Sequence, residues 1–353
     1  MIIKIVTYNN STNYGALLQC LCLKDFIEDN FDCSVKLNRY HPSKLIFAEK
    51  YRPLITKNFR KFFGTIKKNL NIYYWKKHAF KDQFFENNND LKESVLSIYG
   101  SDEIWNFRNA YHGYDPYFFG ANDQEKKISY AASIGRSTYS LLPANIKSEI
   151  FNYFEKFQNI SVRDKNTAEF VHKLINKEPQ IVLDPTLIYT PKILEDQKFI
   201  SRYVENDYAI IYGTVFSQQQ QTIIKDYCNK RKLKMISVGY NNLWLEHNHL
   251  DLNPTTFYNY IKNSKVVFTS MFHGVMLSTK LAKQFYFTMD PIRKNKVQTF
   301  LDNFDLYDRE IKNEINDKDI DFEDLNKNLK KHIFNSREFL IQNIDNCIKN
   351  ETL

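Results

Sequence analysis

The sequence predicts an α/β protein made of two successive doubly wound domains. The chain has 353 residues, which is more than a single hydrophobic core usually contains. Short apolar runs alternate with helical patterns in two series, and this alternation is typical of parallel sheets covered by helices. A polar stretch over 191–207 separates the series. We therefore predict an N-terminal α/β domain over 1–190, a C-terminal α/β domain over 208–310 and a helical segment over 311–353.

The individual elements follow from the spacing of apolar residues. In the first series, the predicted strands are 2–6, 35–37, 95–99, 128–132, 160–162 and 181–183, with helices over 17–27, 143–157 and 167–174. In the second series, the predicted strands are 208–212, 234–238, 266–268 and 284–287, with helices over 217–230, 254–262, 274–281, 295–303 and 323–348. Strands joined through helices in this way pair in parallel.

Composition restricts the class of protein. The formal net charge is +8, a moderate bias, and the five cysteines match no zinc-binding spacing. An odd number of cysteines is typical of reduced thiols in a cytoplasmic protein. The N-terminal run 2–6 is too short for a signal peptide, and no apolar run could span a bilayer. We expect a cytoplasmic protein without a metal site, soluble or peripheral at the inner face of the cytoplasmic membrane.

The segment 44–87 differs from its surroundings, because lysine and arginine alternate with aromatic residues and acidic residues are scarce. This pattern predicts a helical insertion in the first domain. It suits an anionic membrane surface. A solvated face combined with local core packing explains the same composition. Nucleic acid is a further polyanion, but no nucleic-acid-binding motif accompanies the segment, so we expect no nucleic-acid partner.

His273 follows a buried strand and opens a helix through Gly274. Ligands of doubly wound sheets bind beyond the carboxyl ends of the strands. A helix N-terminus presents free N–H groups to an anion, and an imidazole there can bind the anion or deliver a proton. A partly buried histidine that caps its own helix fits the spacing equally well.

Other polar residues also stand where predicted strands end. Arg163 could fork onto a phosphate or carboxylate, or pair with Asp164 on the surface. The turn 100–102 carries Asp102, which could accept a proton from a hydroxyl or belong to an ordinary turn. Asp184, which precedes a proline, is expected to tie a loop. The loop 13–16 lacks the GxGxxG pattern of dinucleotide sites but could hold a substrate phosphate.

Taken together and in order, these motifs resemble the polysaccharide pyruvyl transferase family. The resemblance extends from residue 2 to about residue 310. The motifs that carry it are Asn13-Tyr14-Gly15-Ala16-Leu17-Leu18-Gln19, Gly100-Ser101-Asp102-Glu103-Ile104-Trp105-Asn106, Tyr130-Ala131-Ala132-Ser133-Ile134-Gly135, Ser161-Val162-Arg163-Asp164-Lys165, Val182-Leu183-Asp184-Pro185-Thr186 and Phe272-His273-Gly274.

The resemblance implies two Rossmann-like domains in a glycosyltransferase-B-like arrangement with a central cleft. It implies transfer of the pyruvyl group from phosphoenolpyruvate to a sugar of a capsule or exopolysaccharide, or of its lipid-linked precursor, without metal or organic cofactor. His273 would be the general acid and Asp102 the weaker candidate for the base. The donor would bind Arg163, His273, Gly274 and Lys296, and the acceptor would bind Asn13, Tyr14, Gly15, Ser101 and Trp105.

One position departs from the family pattern. Many members carry arginine two residues before the histidine, where this chain has Met271, and others carry serine. A thioether cannot bind an anion, so the identity of the donor is open. We hypothesise that Lys296 or Arg293 compensates for the missing cation.

Two other functions fit the same architecture. A glycosyltransferase with a nucleotide-sugar donor would need a carboxylate for the ribose, and Glu246 and Asp251 lie in a suitable region. A non-catalytic member of a glycan assembly complex is compatible with Met271. The sequence determines neither the acceptor sugar, nor the ketal stereochemistry, nor the oligomeric state.

Overall fold

The computed structural model describes residues 1–81, 83–85, 94–121, 123–200, 207–289 and 294–349. Within them, two parallel sheets form the frame of the protein. The strands of the first domain are β1 Ile2–Val6, β2 Ser34–Asn38, β3 Phe84–Phe85, β4 Ser94–Tyr99, β5 Lys126–Ser129, β6 Phe157–Asn159, β7 Ser161–Val162 and β8 Gln180–Ile181. The strands of the second domain are β9 Tyr208–Tyr212, β10 Lys234–Val238, β11 His247–His249, β12 Val266–Thr269 and β13 Gln284–Phe287.

Helices connect these strands and cover both faces of each sheet. They are α1 Tyr14–Asn30, α2 Ser43–Ile46, α3 Phe59–Ala79, α4 Ala144–Glu155, α5 Lys165–Ile175, α6 Pro185–Ile188, α7 Gln218–Lys230, α8 Pro254–Asn263, α9 Phe272–Lys280, α10 Lys294–Phe304 and α11 Phe322–Lys349. A π-helical turn spans Phe47–Tyr51, and 3-10 turns span Arg52–Leu54, Pro116–Phe119, Tyr139–Leu141, Lys192–Glu195, Gln197–Phe199 and Tyr307–Arg309.

The strand order reverses beside the first strand of each domain. The first sheet has the order β3-β2-β1-β4-β5-β6 and the second has the order β11-β10-β9-β12-β13. Every residue of β9 is buried, as expected for a central strand covered on both faces. These are two Rossmann-like domains whose strand ends face a shared cleft, so the expected glycosyltransferase-B-like fold is confirmed.

The C-terminal helix α11 returns to the N-terminal domain. Lys126 Nζ donates to the Cys347 carbonyl at 2.7 Å, and the Leu183 N–H donates to Ser336 Oγ at 2.9 Å. One apolar core runs from β1 through α1, α8 and α9 to α11. The two domains are therefore joined by continuous packing as well as by the chain connection.

The insertion is helical, as predicted, but it is broken into short turns followed by the long helix α3. Trp75, which is fully buried on α3, donates from Nε1 to Thr255 Oγ1 at 2.8 Å. Thr255 lies in the first turn of α8 in the second domain. The insertion thus belongs to the contact between the domains, while residues 82, 86 and 87 at its end lie outside the described part of the chain.

Several element boundaries predicted from the sequence were wrong. Helix α9 begins at Phe272, so His273 lies inside its first turn and not before a helix at Gly274. Helix α4 ends at Glu155, because Phe157 starts the strand β6 that the sequence pattern did not reveal. The two- and three-residue strands β3 and β11 were also missed, since such short segments show no periodicity.

No helix among the described residues is long and apolar enough to cross a membrane. The described residues also contain no group of three histidine, cysteine or acidic side chains placed to hold a metal ion. The five cysteines, all within the described ranges, form no disulfide.

Candidate functional site

Four side chains from different elements meet at the cleft, and we call them the charged cluster: Asp102, Arg163, Asp184 and His273. Arg163 Nη1 donates to Asp184 Oδ2 at 3.0 Å, and Arg163 Nη2 lies 3.6 Å from Asp102 Oδ1. His273 Nε2 lies 3.6 Å from Asp184 Oδ2, too far for a direct hydrogen bond. The guanidinium also packs 4.4 Å from the centroid of the Phe272 ring.

The two carboxylate oxygens of Asp184 make different contacts, one with the start of α6 and one with the charged cluster. Oδ1 caps α6 by accepting hydrogen bonds from the Thr186 N–H at 3.0 Å and Thr186 Oγ1 at 2.7 Å. Oδ2 faces Arg163 and His273. The sequence interpretation of Asp184 as a loop anchor describes the first oxygen and omits the second.

The electrostatics of the cluster keep Asp184 ionised. Burial opposes the charge of this fully buried carboxylate, but His273, Arg163 and the hydrogen bond from Thr186 outweigh burial and lower its pKa below the usual range. On the other side of the contact, Arg163 Nε and Nη2 and His273 Nε2 are buried without a hydrogen-bond partner among the described residues. Buried donors in this state favour the arrival of an acceptor.

Two helix N-termini meet at His273. Asn13 caps α1 by accepting from the Gly15 N–H at 2.9 Å. A Cβ at Gly15 would lie 2.1 Å from His273 Nδ1, so this close approach requires glycine. In α9 the Gly274 N–H already donates to the Met271 carbonyl, whereas the N–H groups of Phe272 and His273 belong to the first turn and lack intrahelical acceptors. Both helices direct positive dipole ends toward the imidazole.

The inner cavity encloses about 360 Å³ between the two domains. Asp102 of the first domain and His273 of the second both line it, together with Asn13 and Arg136. Asp102 has a φ of 82°, which is uncommon for residues other than glycine, and its Oδ1 accepts from the Glu103 N–H at 2.8 Å. Arg163 lies behind Asp102 and lines a neighbouring void of about 20 Å³, large enough for one water molecule.

The outer cavity encloses about 910 Å³ between the insertion and the second domain. It shares a wall with the inner cavity, formed by Asn13, Glu49, Tyr111 and Met271. Tyr240 Oη donates to Met271 Sδ at 3.6 Å, which fixes the thioether at this boundary. Arg52, Lys61 and Lys68 of the insertion supply cations to the outer wall.

Glu49 and Arg136 line the inner cavity and were missed in the sequence. Glu49 Oε2 accepts from Ser11 Oγ at 2.6 Å and from the Thr12 N–H at 2.9 Å. Burial raises the pKa of Glu49, although these hydrogen bonds and the charge of Lys68 act against the rise. An isolated carboxylate in a basic segment was the available signal for Glu49. Arg136 directly follows the motif ending at Gly135, which was the signal for it.

The structure brings some of the predicted acceptor residues to the cleft but not others. Asn13 lines both cavities and Gly15 contacts His273. Tyr14 instead stacks on Phe257 with ring centroids 4.8 Å apart. Ser101 is buried and donates to Gln19 Oε1 at 2.7 Å, and Trp105 is buried and donates to the Phe118 carbonyl at 3.0 Å. These last three side chains hold the walls of the site in place.

The remaining predicted residues have clear positions or lie outside the description. Gly274 is buried, and a Cβ there would lie 2.1 Å from Thr269 Oγ1, so it allows α9 to pack against β12. The side chain of Lys296 and the whole of Arg293 lie outside the described residues, and their roles stay predictions. Asp251, considered for a ribose, pairs with Lys67 at 2.9 Å.

A family model described as polysaccharide pyruvyl transferase matches residues 13–288. No curated protein sequence matches the chain significantly. A glycosyltransferase from Streptomyces sp. SF2575 is 9% identical over 97% of this chain and 99% of its own, with a TM-score of 0.49. SnogD, a glycosyltransferase from Streptomyces nogalater, is 8% identical over 96% and 94%, with a TM-score of 0.43. The E. coli heptosyltransferase WaaC is 12% identical over 84% and 91%, with a TM-score of 0.37.

Replacing Asp184 with Asn should destabilise the protein by about 3–5 kcal/mol at pH 7, because the buried guanidinium of Arg163 loses the closer of its two acidic partners. The free energy of unfolding can be measured in urea. The folded-state pKa of Asp184 is lowered, so its stabilisation is present above the unfolded-state pKa of about 4 and is lost below it. The difference between the two proteins should therefore shrink as the pH falls below about 4.

The matched control is Asp302→Asn, which removes a partly exposed carboxylate 2.8 Å from Lys165. It should change the free energy of unfolding at pH 7 by about 1 kcal/mol or less. An Asp184 variant no less stable than this control would contradict the structural role given to the buried pair.

Proposed function

The chain belongs to the polysaccharide pyruvyl transferase family, and from this premise we propose that it transfers the pyruvyl group of phosphoenolpyruvate to two hydroxyls of one sugar. The acceptor would be a capsule or exopolysaccharide unit or its lipid-linked precursor, and the product a cyclic ketal. The observation that carries the proposal is the charged cluster at a cavity lined by both domains, with His273 between two helix N-termini.

The donor requires a site for two anionic groups, a phosphate and a carboxylate. The first-turn N–H groups of α9, His273 and the guanidinium of Arg136 are available at the inner cavity. Arg163 has unpartnered N–H groups directly behind Asp102. Direct contact between Arg163 and the donor remains a prediction, as does contact with Lys296.

The reaction balances without an added oxidant or cofactor. The methylene carbon of phosphoenolpyruvate gains a proton and becomes a methyl group, which leaves an oxocarbenium-like carbon. Two sugar oxygens bond to that carbon and the bond to the phosphate oxygen breaks. Of the two hydroxyl protons, one balances the proton on the methyl group and the other leaves as part of hydrogen phosphate.

In this proposal His273 delivers the proton to the methylene carbon. The Asp184 carboxylate places a negative charge 3.6 Å from His273 Nε2. Asp102 faces the same cavity and would accept the proton of the attacking hydroxyl. Glu49, at the boundary of the two cavities and with a raised pKa, is a second candidate for that step.

The function is tested by phosphate release from phosphoenolpyruvate in the presence of candidate glycolipids and oligosaccharides. We expect release that depends on the acceptor, and a mass increase of the acceptor that corresponds to a pyruvyl ketal. His273→Ala should lower the turnover at least about a hundredfold, the usual size of a general-acid contribution. Its melting temperature should stay close to that of the unchanged protein.

The control for this experiment is His172→Ala, because His172 is exposed and pairs with Glu178 at 2.8 Å, outside both cavities. It should retain full activity. If no acceptor stimulates phosphate release, the remaining functions are a glycosyltransferase with a nucleotide-sugar donor and a non-catalytic member of an assembly complex. A His273→Ala protein with most of its activity would refute the role of the imidazole.

Replacing Gly15 with Ala should also abolish most of the turnover. The added Cβ would lie 2.1 Å from His273 Nδ1 and so must displace the imidazole or the start of α1. Gly120→Ala is the control: its φ of +92° makes alanine strained by about 1–2 kcal/mol, but its neighbours are Phe157 and Lys127, outside the site. Steady-state rates with melting temperatures for both variants separate these effects. Equal activity losses would contradict the proposed contact.

We further propose that the insertion holds the enzyme at an anionic membrane surface. Apolar side chains on α3 at positions 59, 63, 66, 70, 73 and 74 fall on one side of the helix, opposite buried Ile72 and Trp75. Phe63 and Leu70 are 63% and 61% exposed. Exposed Arg60 and Lys77 accompany this stripe on the same helix. Such a face suits the boundary of lipid headgroups and acyl chains.

The double substitution Phe63→Ser and Leu70→Ser should reduce the fraction of the protein that floats with vesicles containing anionic phospholipid. Each substitution removes apolar area that would enter the lipid boundary. Phe334→Ser is the matched control, because Phe334 on α11 is 62% exposed but lies outside the stripe. Flotation that is independent of anionic lipid, or equal for all three proteins, would contradict the membrane proposal.

A further inference from the structure

We propose that the outer cavity binds a phosphate or diphosphate group of the acceptor, with Lys68 as its anchor. This inference rests on the proposed function and adds a chemical class to it: the acceptor is a phosphorylated glycan, held by its anionic group in the outer cavity while its sugar reaches the inner cavity. Arg52 and Lys61 stand on the same wall and supply further positive charge.

Lys68 differs from the preceding residue, Lys67, in its contacts. Its Nζ lies 4.6 Å from the centroid of the Tyr14 ring, a cation–π contact. Among the described residues, its ammonium makes no hydrogen bond or ion pair. Lys67, the preceding residue, pairs with Asp251 at 2.9 Å. The chain therefore neutralises the outward-facing lysine and leaves the cavity-facing one for a ligand.

The charge of Lys68 is incompletely compensated where it stands. Burial lowers the pKa of Lys68 to about 8, and the charge of Glu49 opposes this change only in part. The Glu49 carboxylate already accepts hydrogen bonds from Ser11 and Thr12. An ammonium on the cavity wall without a bonded ionic partner gains electrostatic energy from an anion that enters the cavity.

The outer cavity has the size and lining that such a group requires. Its volume of about 910 Å³ lies in the upper range of small-molecule sites. Three cations line it against one carboxylate, that of Glu49. Amide side chains from both domains, Asn69 and Asn241 among them, add hydrogen-bonding groups.

The outer cavity lies between the inner cavity, where the sugar of the acceptor would react, and the exposed surface, where a lipid chain would lie. At its inner end, Met271 and Asn13 also line the inner cavity, so a sugar attached to the bound anion would reach toward His273. At its outer end lie Ile55 and Leu243, which are 74% and 84% exposed. Apolar side chains beside an anion site fit a lipid chain carried on the phosphate. A phosphate anchored at Lys68 would thus place the reacting sugar at the charged cluster.

Because phosphoenolpyruvate also carries a phosphate, the experiment must separate the acceptor from the donor. Binding of inorganic pyrophosphate and of phosphoenolpyruvate is measured by isothermal titration calorimetry at pH 7 on the full chain. The variant Lys68→Met keeps most of the side-chain stem over Tyr14 and removes the charge. We expect it to weaken pyrophosphate binding about tenfold or more, the loss of one charge-assisted contact, with phosphoenolpyruvate affinity unchanged.

Lys147→Met is the matched control, since Lys147 on α4 is exposed and also makes a cation–π contact, 5.0 Å from the centroid of the Tyr139 ring, outside both cavities. Arg52→Met, at the exposed edge of the wall, provides a second variant without risk to the core, and it should weaken pyrophosphate binding while preserving the melting temperature. Equal pyrophosphate affinities for the Lys68, Arg52 and Lys147 variants would overturn the proposal. So would a loss of phosphoenolpyruvate affinity in Lys68→Met, which would assign the lysine to the donor.

A final comparison distinguishes this inference from the proposed function. Acceptor-dependent phosphate release is measured with a glycan and with the same glycan carrying a diphosphate. A lower KM for the diphosphate form, which Lys68→Met abolishes, is the expected result. Equal KM values for both forms would refute the phosphate site while the transferase activity stands. If the unchanged protein releases no phosphate with either form of the glycan but still binds pyrophosphate in a Lys68-dependent way, the transferase function is refuted and the phosphate site is not.

Discussion

The ion pair between Arg163 and Asp184 is the contact on which the site depends. Both side chains are almost fully buried, so removing either one would leave an uncompensated charge in the interior. Asp184 also caps α6, and the Arg163 guanidinium packs on Phe272 at the start of α9. One pair thereby fixes a loop of the first domain against a helix of the second. The orientation of His273 follows from this contact and from the close approach of Gly15.

In the proposed reaction, cations at other positions would take the place of the arginine that many family members carry where this chain has Met271. The methionine stands at the boundary of two cavities, where its thioether is held by Tyr240. Positive charge reaches the cleft from other elements instead: Arg136 lines the inner cavity and Lys68 the outer one. The same electrostatic demand of an anionic substrate can be met from a loop or from an insertion, because the attraction depends on distance and local dielectric and not on chain position.

The insertion joins the fold, the site and the proposed membrane surface. Trp75 fixes α3 to the second domain through Thr255, and the same buried side of the helix brings Lys68 to the outer cavity. The opposite side is apolar and exposed. In a helix with 3.6 residues per turn, different residues form the two sides. One side can therefore pack against the second domain while the other presents an apolar face. The unusual composition of the segment therefore has two physical causes, one on each side.

The sequence by itself determined the two-domain α/β fold, most strands and helices, and the presence of His273, Arg163 and Asp102 at strand ends. These follow from local periodicity and from the rule that ligands of such sheets bind at the carboxyl ends of strands. Only the tertiary structure decided that Asp184 faces Arg163 and His273 with one oxygen, that Gly15 touches the imidazole, and that Tyr14, Ser101 and Trp105 support the walls. Those outcomes depend on side-chain direction and on contacts between different elements, some within the first domain, as for Arg163 and Asp184, and some between the domains, as for Gly15 and His273. Local sequence patterns carry no information about such contacts, because only the packing of the folded chain creates them.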